Sequence, residues 1–310
     1  MALDKVLVLL ATYNGAEYID EQLFSILNQK DVKADVIVFD DKSTDDTLKH
    51  IEEIKNIYPN RITVICNTDK IHGPLHSFIS LINFAQHEKK NDYYRFISFA
   101  DQDDIWLPRK LINAINSMQK FNAEMSISSG ISTNLYNYAE ITTYDRRVYT
   151  FGEALLKNNA IGMTMVLRTN FLDTIHIPIE TGMNVWLHDH LLYLIALYRG
   201  KRVVFVDEPG VIYRQHEHNA IGDKKQGIIH RIQKKVDYVL KSQRDRNFTA
   251  ELLKDNFSGT PENIELVNKY LNYRNQSLFG RLRLVGEGRI FSQKNDVELI
   301  TKVLAVFKIL

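Results

Sequence analysis

The chain has 310 residues, 45% of them hydrophobic, with 14 Gly, 6 Pro and one Cys, enough to bury one large core or two modest ones and too apolar for disorder, collagen or a small disulfide scaffold. The lone Cys66, at the end of an apolar run, is expected as a small buried thiol in a reducing, cytoplasmic setting. The net charge of +1 conceals 22 basic against 28 acidic residues up to Gly222 and 17 against 10 beyond it, which predicts a part at 1–222 whose site needs carboxylates and a basic part at 223–310 that faces something anionic.

Short apolar runs alternate with helical periodicity over the first hundred residues, the pattern of a mostly parallel sheet covered by helices on both faces. Strands are expected at Lys5 to Ala11, Asp35 to Phe39, Arg61 to Cys66 and Tyr93 to Ala100. Between them run helical stripes: Ile19, Leu23, Ile26 and Leu27; Leu48, Ile51 and Ile54; Leu75, Phe78, Ile82 and Ala85. Ser43 or Thr44 should cap the second, and Pro108 should stand in the first turn of a helix carrying Leu111, Ala114 and Ile115. Met125 to Ile131 and Gly162 to Leu167 read as strands, separated by a polar, Tyr-rich surface excursion at Asn134 to Tyr149. Asn184 to Tyr198 reads as a buried helix, Val203 to Val206 and Val211 to Tyr213 as two short strands, and everything beyond Gly222 as helical. No run reaches the roughly 20 apolar residues of a membrane span.

Ligands of an open parallel sheet bind at the carboxyl ends of its strands, near the point where strand order reverses. At such ends stand Thr12 and Tyr13, then Asp40 and Asp41, then Asp101-Gln102-Asp103-Asp104. A strand-end carboxylate can accept the imide N–H of a pyrimidine, which suits Asp40 or Asp41; a helix cap is the plainer alternative, but Ser43, Thr44 and Asp45 already supply one, which favours Asp40 for the base. Three carboxylates in four residues repel one another, and bound Mg²⁺ or Mn²⁺, completed by phosphate oxygens, would relieve them. A surface turn rich in Asp is the plainer alternative, but this string directly follows the apolar Phe96 to Ala100 and precedes Trp106.

Ala11-Thr12-Tyr13-Asn14-Gly15, Ser25-Ile26-Leu27-Asn28-Gln29, the stretch Val36 to Thr47 and Asp101-Gln102-Asp103-Asp104-Ile105-Trp106 together resemble family 2 glycosyltransferases over about the first two thirds of the chain. The resemblance implies an α/β GT-A fold with a helical C-terminal region, a nucleotide-sugar donor and metal-dependent inverting transfer. It gives Thr12, Tyr13, Asp40, Asp41 and Asp101 to the nucleotide, and Asp101 and Asp103 to the cation, with Asp104 and Trp106 behind them. Lys42 stands where the family usually has Gly. Asp189, in Trp186-Leu187-His188-Asp189-His190, takes the place of the general base that deprotonates the acceptor hydroxyl, with His188 and His190 orienting it or packing as core histidines. In Tyr213-Arg214-Gln215-His216-Glu217-His218, Arg214 suits a phosphate and His216 the cation, and His218 is a weaker candidate.

More narrowly, the sequence resembles bacterial rhamnosyltransferases that take dTDP-L-rhamnose and build cell-wall or capsular polysaccharide on a lipid carrier. UDP-hexoses compete as donors, because uracil and thymine share the imide edge. Residues 223–246 carry 8 Lys+Arg against 3 Asp around the stripe Ile229, Ile232, Val236 and Val239, as expected of a helix lying on the anionic inner face of the cell membrane or joining a homodimer. A nucleotidyltransferase would need a Gly- and Arg/Lys-rich loop after the first strand. A nucleic-acid binder would interleave aromatics with its basic residues, and a non-catalytic sugar-nucleotide binder would not need Asp101, Asp103 and Asp189 together.

Overall fold

The computed structural model describes residues 3–87, 93–134, 137–142, 146–177, 187–215, 245–290, 302–303 and 305–307. They group into two units, one of Met1–Val148, Ala160–Gly182 and Arg202–Ala220, the other of Tyr149–Asn159, Met183–Lys201 and Ile221–Leu310. The second unit thus begins its last segment beside the expected division and also takes in two earlier segments.

The first unit runs β1 (Asp4–Thr12), α1 (Ile19–Leu27), β2 (Val32–Asp40), α2 (Thr47–Ile57), β3 (Ile62–Cys66), α3 (Pro74–His87), β4 (Phe96–Ala100), β5 (Ile105–Trp106), α4 (Lys110–Phe121), β6 (Met125–Asn134) and β7 (Asn137–Thr142). After an excursion through α5 (Phe151–Leu156) of the second unit it resumes with β8 (Val166–Arg168) and α6 (Thr169–Leu172). It closes, beyond α7 (His188–Tyr198) of the second unit, with β9 (Val203–Gln215). The sheet order is β3-β2-β1-β4-β8-β6-β9-β5, with β7 paired to β6. The first four strands are parallel; β8 runs antiparallel to β4 and β6, while β6 and β9 are again parallel.

Alternation along β1 and β2 explains the two helical layers. Val6, Val8, Leu10, Val36 and Val38 share one core with Ile19, Leu23 and Ile26 of α1, Ile51 and Ile54 of α2, and Leu111, Ile115 and Met118 of α4. On the opposite face, buried Leu7, Leu9, Ile37 and Phe39 meet α3, where Phe78 packs edge-on to Phe99 at 5.9 Å between ring centroids. Strand order reverses at β1, which has β2 on one side and β4 on the other, so the carboxyl ends of these three strands open together.

Several expectations are corrected. Cys66 is exposed, because β3 is an edge strand and the chain leaves the core at its end. Within the polar stretch expected as a surface excursion, residues 137–142 form a strand paired with β6. Gly162–Thr164 form a turn of 3₁₀ helix, which shortens the following strand to Val166–Arg168. The two strands expected after residue 203 are one, β9, continuous through a register shift against β6. Pro108 precedes α4, whose N-cap is Arg109.

In the second unit α7 is buried on nearly all sides. Its last carbonyls, Leu197 O and Tyr198 O, accept from Asn263 Nδ2 at 2.9 and 3.2 Å, and Thr260 N also donates to Tyr198 O at 3.0 Å. Gly259 is required there, since a Cβ would lie 2.4 Å from the Tyr198 ring. Residues 245–256 (α8), α9 (Pro261–Leu271) and α10 (Leu278–Gly286) follow, with helical residues again at 302–303 and 305–306. The basic stripe at 229–239 lies outside the described residues.

Candidate functional site

Thr12 and Asp40 are register partners at the ends of β1 and β2. Thr12 is buried, while the Tyr13 ring beyond it is more than half exposed. Asp40 is 1% exposed, and its Oδ2 accepts from Ser43 N at 3.0 Å, whereas Oδ1 has no hydrogen-bond partner. A buried carboxylate oxygen without a donor is costly, and a ligand N–H would relieve it.

Asp41, next in sequence, is fully engaged. Its Oδ1 accepts from Asn67 Nδ2 and lies 3.0 Å from His72 Nδ1, and its Oδ2 accepts from Gly73 N at 2.8 Å. Burial pushes the Asp41 carboxyl up, but the Asn67, Gly73 and His72 donors outweigh it and hold the group below its ordinary value. The structure gives the two residues different surroundings: Asp41 fastens the 67–73 loop, and Asp40, the one the sequence favours for the base, keeps a free acceptor.

Directly after them the chain turns through Lys42, whose φ of +63° is left-handed and accounts for Gly being usual there. Lys42 Nζ donates to Asp69 O at 2.7 Å. Ser43 and Thr44 do not cap α2 as expected: Ser43 Oγ accepts from Asn14 N, Thr44 N donates to Asn14 Oδ1, and Asp45 Oδ1 accepts from Thr47 N at the start of the helix.

The acidic string leaves β4 with Asp101 and Asp103 partly exposed and Asp104 completely buried. Neither carboxylate oxygen of Asp104 has a hydrogen-bond partner. Burial, then the charges of Asp101 and Asp103, hold its carboxyl well above the ordinary range, against the opposing pull of Lys110 and Arg214. Beside it Trp106 is buried beneath the Lys110 ammonium.

Arg214, near the end of β9, pairs through Nη2 with Glu21 of α1 and lies 5.4 Å from the centroid of the Tyr18 ring. His216 and His218 lie outside the described residues, as does Trp186.

Among the described residues no three His, Cys, Asp or Glu side chains form a ready cation cage. The donor set nevertheless fits a hard divalent ion: Asp101 and Asp103, two residues apart and partly exposed at the end of β4, offer carboxylate oxygens. Such an ion holds one or two carboxylates and takes its remaining ligands from phosphate and water.

In the second unit Asp189 is buried in the first turn of α7, where its Oδ1 accepts from Asn158 Nδ2 at 3.3 Å and from His190 N. His190 Nε2 lies 2.7 Å from Ala154 O, a distance that fixes the proton on that nitrogen. Burial pushes His188 down to about 3 and His190 down to about 4, so both rings are neutral around Asp189 at neutral pH.

Sequence reasoning passed over a further set of polar side chains. Gln22 and Ser25 of α1, with Gln29 just past its end, hold the backbone after β4: Gln22 Nε2 donates to Asp101 O at 2.7 Å, Ser25 Oγ accepts from Trp106 N at 3.0 Å, and Gln29 meets both Leu107 O and Leu111 N. Their helical spacing, with Ser25 and Gln29 inside a segment already notable for its resemblance, was the available signal.

The chain belongs to glycosyl transferase family 2, whose sequence profile matches residues 7–192, and it is a glycosyltransferase of GT-A fold. It is 35% identical over 224 residues to a dTDP-rhamnosyl transferase of Shigella flexneri, RfbG, spanning 69% of this chain and 73% of that one. Its fold is similar to that of S. aureus TarS 1-349, solved with UDP-GlcNAc, with TM-score 0.58 and 19% identity over 97% of this chain and 81% of that one. It is similar also to GalNAc-T7, solved with UDP, GalNAc and Mn²⁺, with TM-score 0.56 and 12% identity over 92% of this chain and 54% of that one. Among the described residues no helix is long and apolar enough to cross a membrane.

Proposed function

We propose that the protein transfers one L-rhamnosyl residue, with inversion, from dTDP-L-rhamnose to a lipid-linked saccharide in bacterial polysaccharide synthesis. The similarity to a dTDP-rhamnosyl transferase over more than two thirds of the chain carries the choice of sugar. Asp40, with its free Oδ1 at the end of β2, reads the imide N–H of the base, and Thr12 and Tyr13 border the ring. Asp101 and Asp103 hold Mn²⁺ or Mg²⁺, which when bound neutralises the diphosphate leaving group; Arg214 is the further phosphate contact. Asp189 is the base that removes the acceptor proton, and the neutral His190 keeps it oriented through its backbone N–H.

A UDP-hexose such as UDP-glucose or UDP-galactose is the second reading, since the interaction assigned to Asp40 does not distinguish uracil from thymine. For the acceptor, Leu278, Phe279 and Leu282 of α10 are exposed beside exposed Arg283, a combination that suits the anionic inner leaflet on which a lipid-linked saccharide resides.

Calorimetric titration with dTDP-rhamnose, UDP-glucose, UDP-galactose and free dTDP, each with and without Mn²⁺, tests the reading. Metal-dependent preference for dTDP-rhamnose is expected. Preference for a UDP-hexose would replace the donor, and no metal-dependent binding at all would remove the assignment of Asp101 and Asp103.

A further inference from the structure

The middle residue of Asp101-Gln102-Asp103 has no part in binding the donor as proposed, yet its side chain links the end of β1 directly to the acidic loop after β4. Gln102 Oε1 accepts from Thr12 Oγ1 and from Tyr13 N, both at 2.8 Å. A backbone N–H can only donate, which identifies the amide oxygen as the atom facing β1, and both lone pairs of that oxygen are then used. The approach is close enough that a Cβ at residue 15 would stand 2.5 Å from Gln102 Oε1 and 2.9 Å from Thr12 Oγ1, so any larger residue than Gly15 would displace these side chains from each other. On its other side the loop is tied to α1 through Gln22 Nε2 and Asp101 O. The backbone between the two aspartates is thus pinned at consecutive residues from two different elements.

We propose that Gln102 is a positioning residue that couples the β1 end, where the base is bordered, to the spacing of Asp101 and Asp103, so that Thr12, which is not itself a cation ligand, contributes to cation affinity through it. The proposal rests on the assignment of Asp101 and Asp103 to the cation. Gln102 acts by fixing where two carboxylates stand before any ion arrives: a hard divalent ion demands near-ideal ligand geometry, and a preset pair loses less freedom on binding it. Linkage is reciprocal, so ordering of the β1 end by a bound base would tighten cation binding to the same degree that the cation tightens the base.

The test is a double-mutant cycle read on Mn²⁺ binding alone, followed through the electron paramagnetic resonance signal of the free ion, with no sugar nucleotide present. Gln102→Met removes the acceptor at nearly constant volume; Thr12→Val removes one donor, and Thr12→Ser retains it. Thr12→Val should weaken Mn²⁺ binding by about threefold to tenfold, the loss expected of one hydrogen bond. Thr12→Ser should restore it, and the double variant should bind no more weakly than Gln102→Met. Thermal unfolding without metal identifies any variant that has merely lost its fold, and for such a variant Thr12→Ser carries the comparison. Unchanged Mn²⁺ affinity in Thr12→Val, or additive effects in the double variant, would overturn the coupling. Asp103→Asn separates the two levels: if it binds Mn²⁺ as the unmodified protein does, the cation assignment itself fails, whereas loss of binding in Asp103→Asn alongside an indifferent Thr12→Val removes only the role of Gln102.

Discussion

The buried Lys110 ammonium donates to Ser98 Oγ at 2.9 Å, and Ser98 Oγ in turn donates to Met165 O at 2.6 Å. Lys110 also lies 3.3 Å from the centroid of the Trp106 ring. A charge so placed is expensive, and burial pulls the ammonium well below its ordinary value while Asp104 pulls it back. Lys110→Met should cost about 1.5–3 kcal/mol in urea unfolding, the range for a hydrogen bond to a charged group. A cost below about 0.5 kcal/mol would mean that Lys110 contributes neither charge nor a donor that matters.

Asp189→Asn preserves the shape of the residue and an oxygen for the His190 N–H. Donor binding should remain nearly intact while transfer falls by roughly 10²-fold or more, as for loss of a general base. Equal losses in binding and turnover would assign Asp189 to structure alone.

His188 and His190 make the fold sensitive to acid. In the folded protein they take up protons only near pH 3 and 4, but in an unfolded chain they do so below about 6.5. Between those limits the unfolded state binds more protons, so stability is fully present above about pH 6.5 and declines as the pH falls, by about 1.4 kcal/mol per pH unit for each ring. His190→Gln, which keeps a donor for Ala154 O, should flatten that slope in unfolding measured from pH 7 to pH 4. An unaltered slope would mean that His190 is already accessible to protons in the fold.

At Lys42 two effects oppose each other: the left-handed backbone disfavours any side chain, while Nζ holds Asp69 O. Relief of the backbone should win, because the bond is exposed to water, so Lys42→Gly should stabilise by about 0.5–1 kcal/mol. Lys42→Ala, which keeps the strain and loses the bond, should not stabilise. The comparison is made by thermal unfolding of the two variants side by side.

The parallel half of the sheet was legible because β1, β2 and β4 are buried on both faces and carry unbroken apolar runs, with one stripe on each covering helix. The far half was not, for local reasons. Residues 137–142 are polar and gain their order from pairing with β6, which no periodicity announces. Asp207-Glu208-Pro209-Gly210 reads as a break, yet β9 passes through it by a register shift against Ser128 and Gly130. The acidic residues stand out in the sequence by type and place, and Asp40 over Asp41 by the helix caps that follow them, but the contacts that set the two apart do not. Asp40 and Asp41 differ only in what residues 67–73 bring to them, and the importance of Gln102 depends on a strand 90 positions away.

The exposed thiol of Cys66 has a practical consequence, since the chain has no other cysteine and this one sits opposite Asp40 in the pairing of β2 with β3. A maleimide dye attached there without any engineering is stationed one strand from the acceptor proposed to read the base. The protein thus carries its own attachment point for an optical reporter of donor occupancy, on an edge where the label displaces no part of the core.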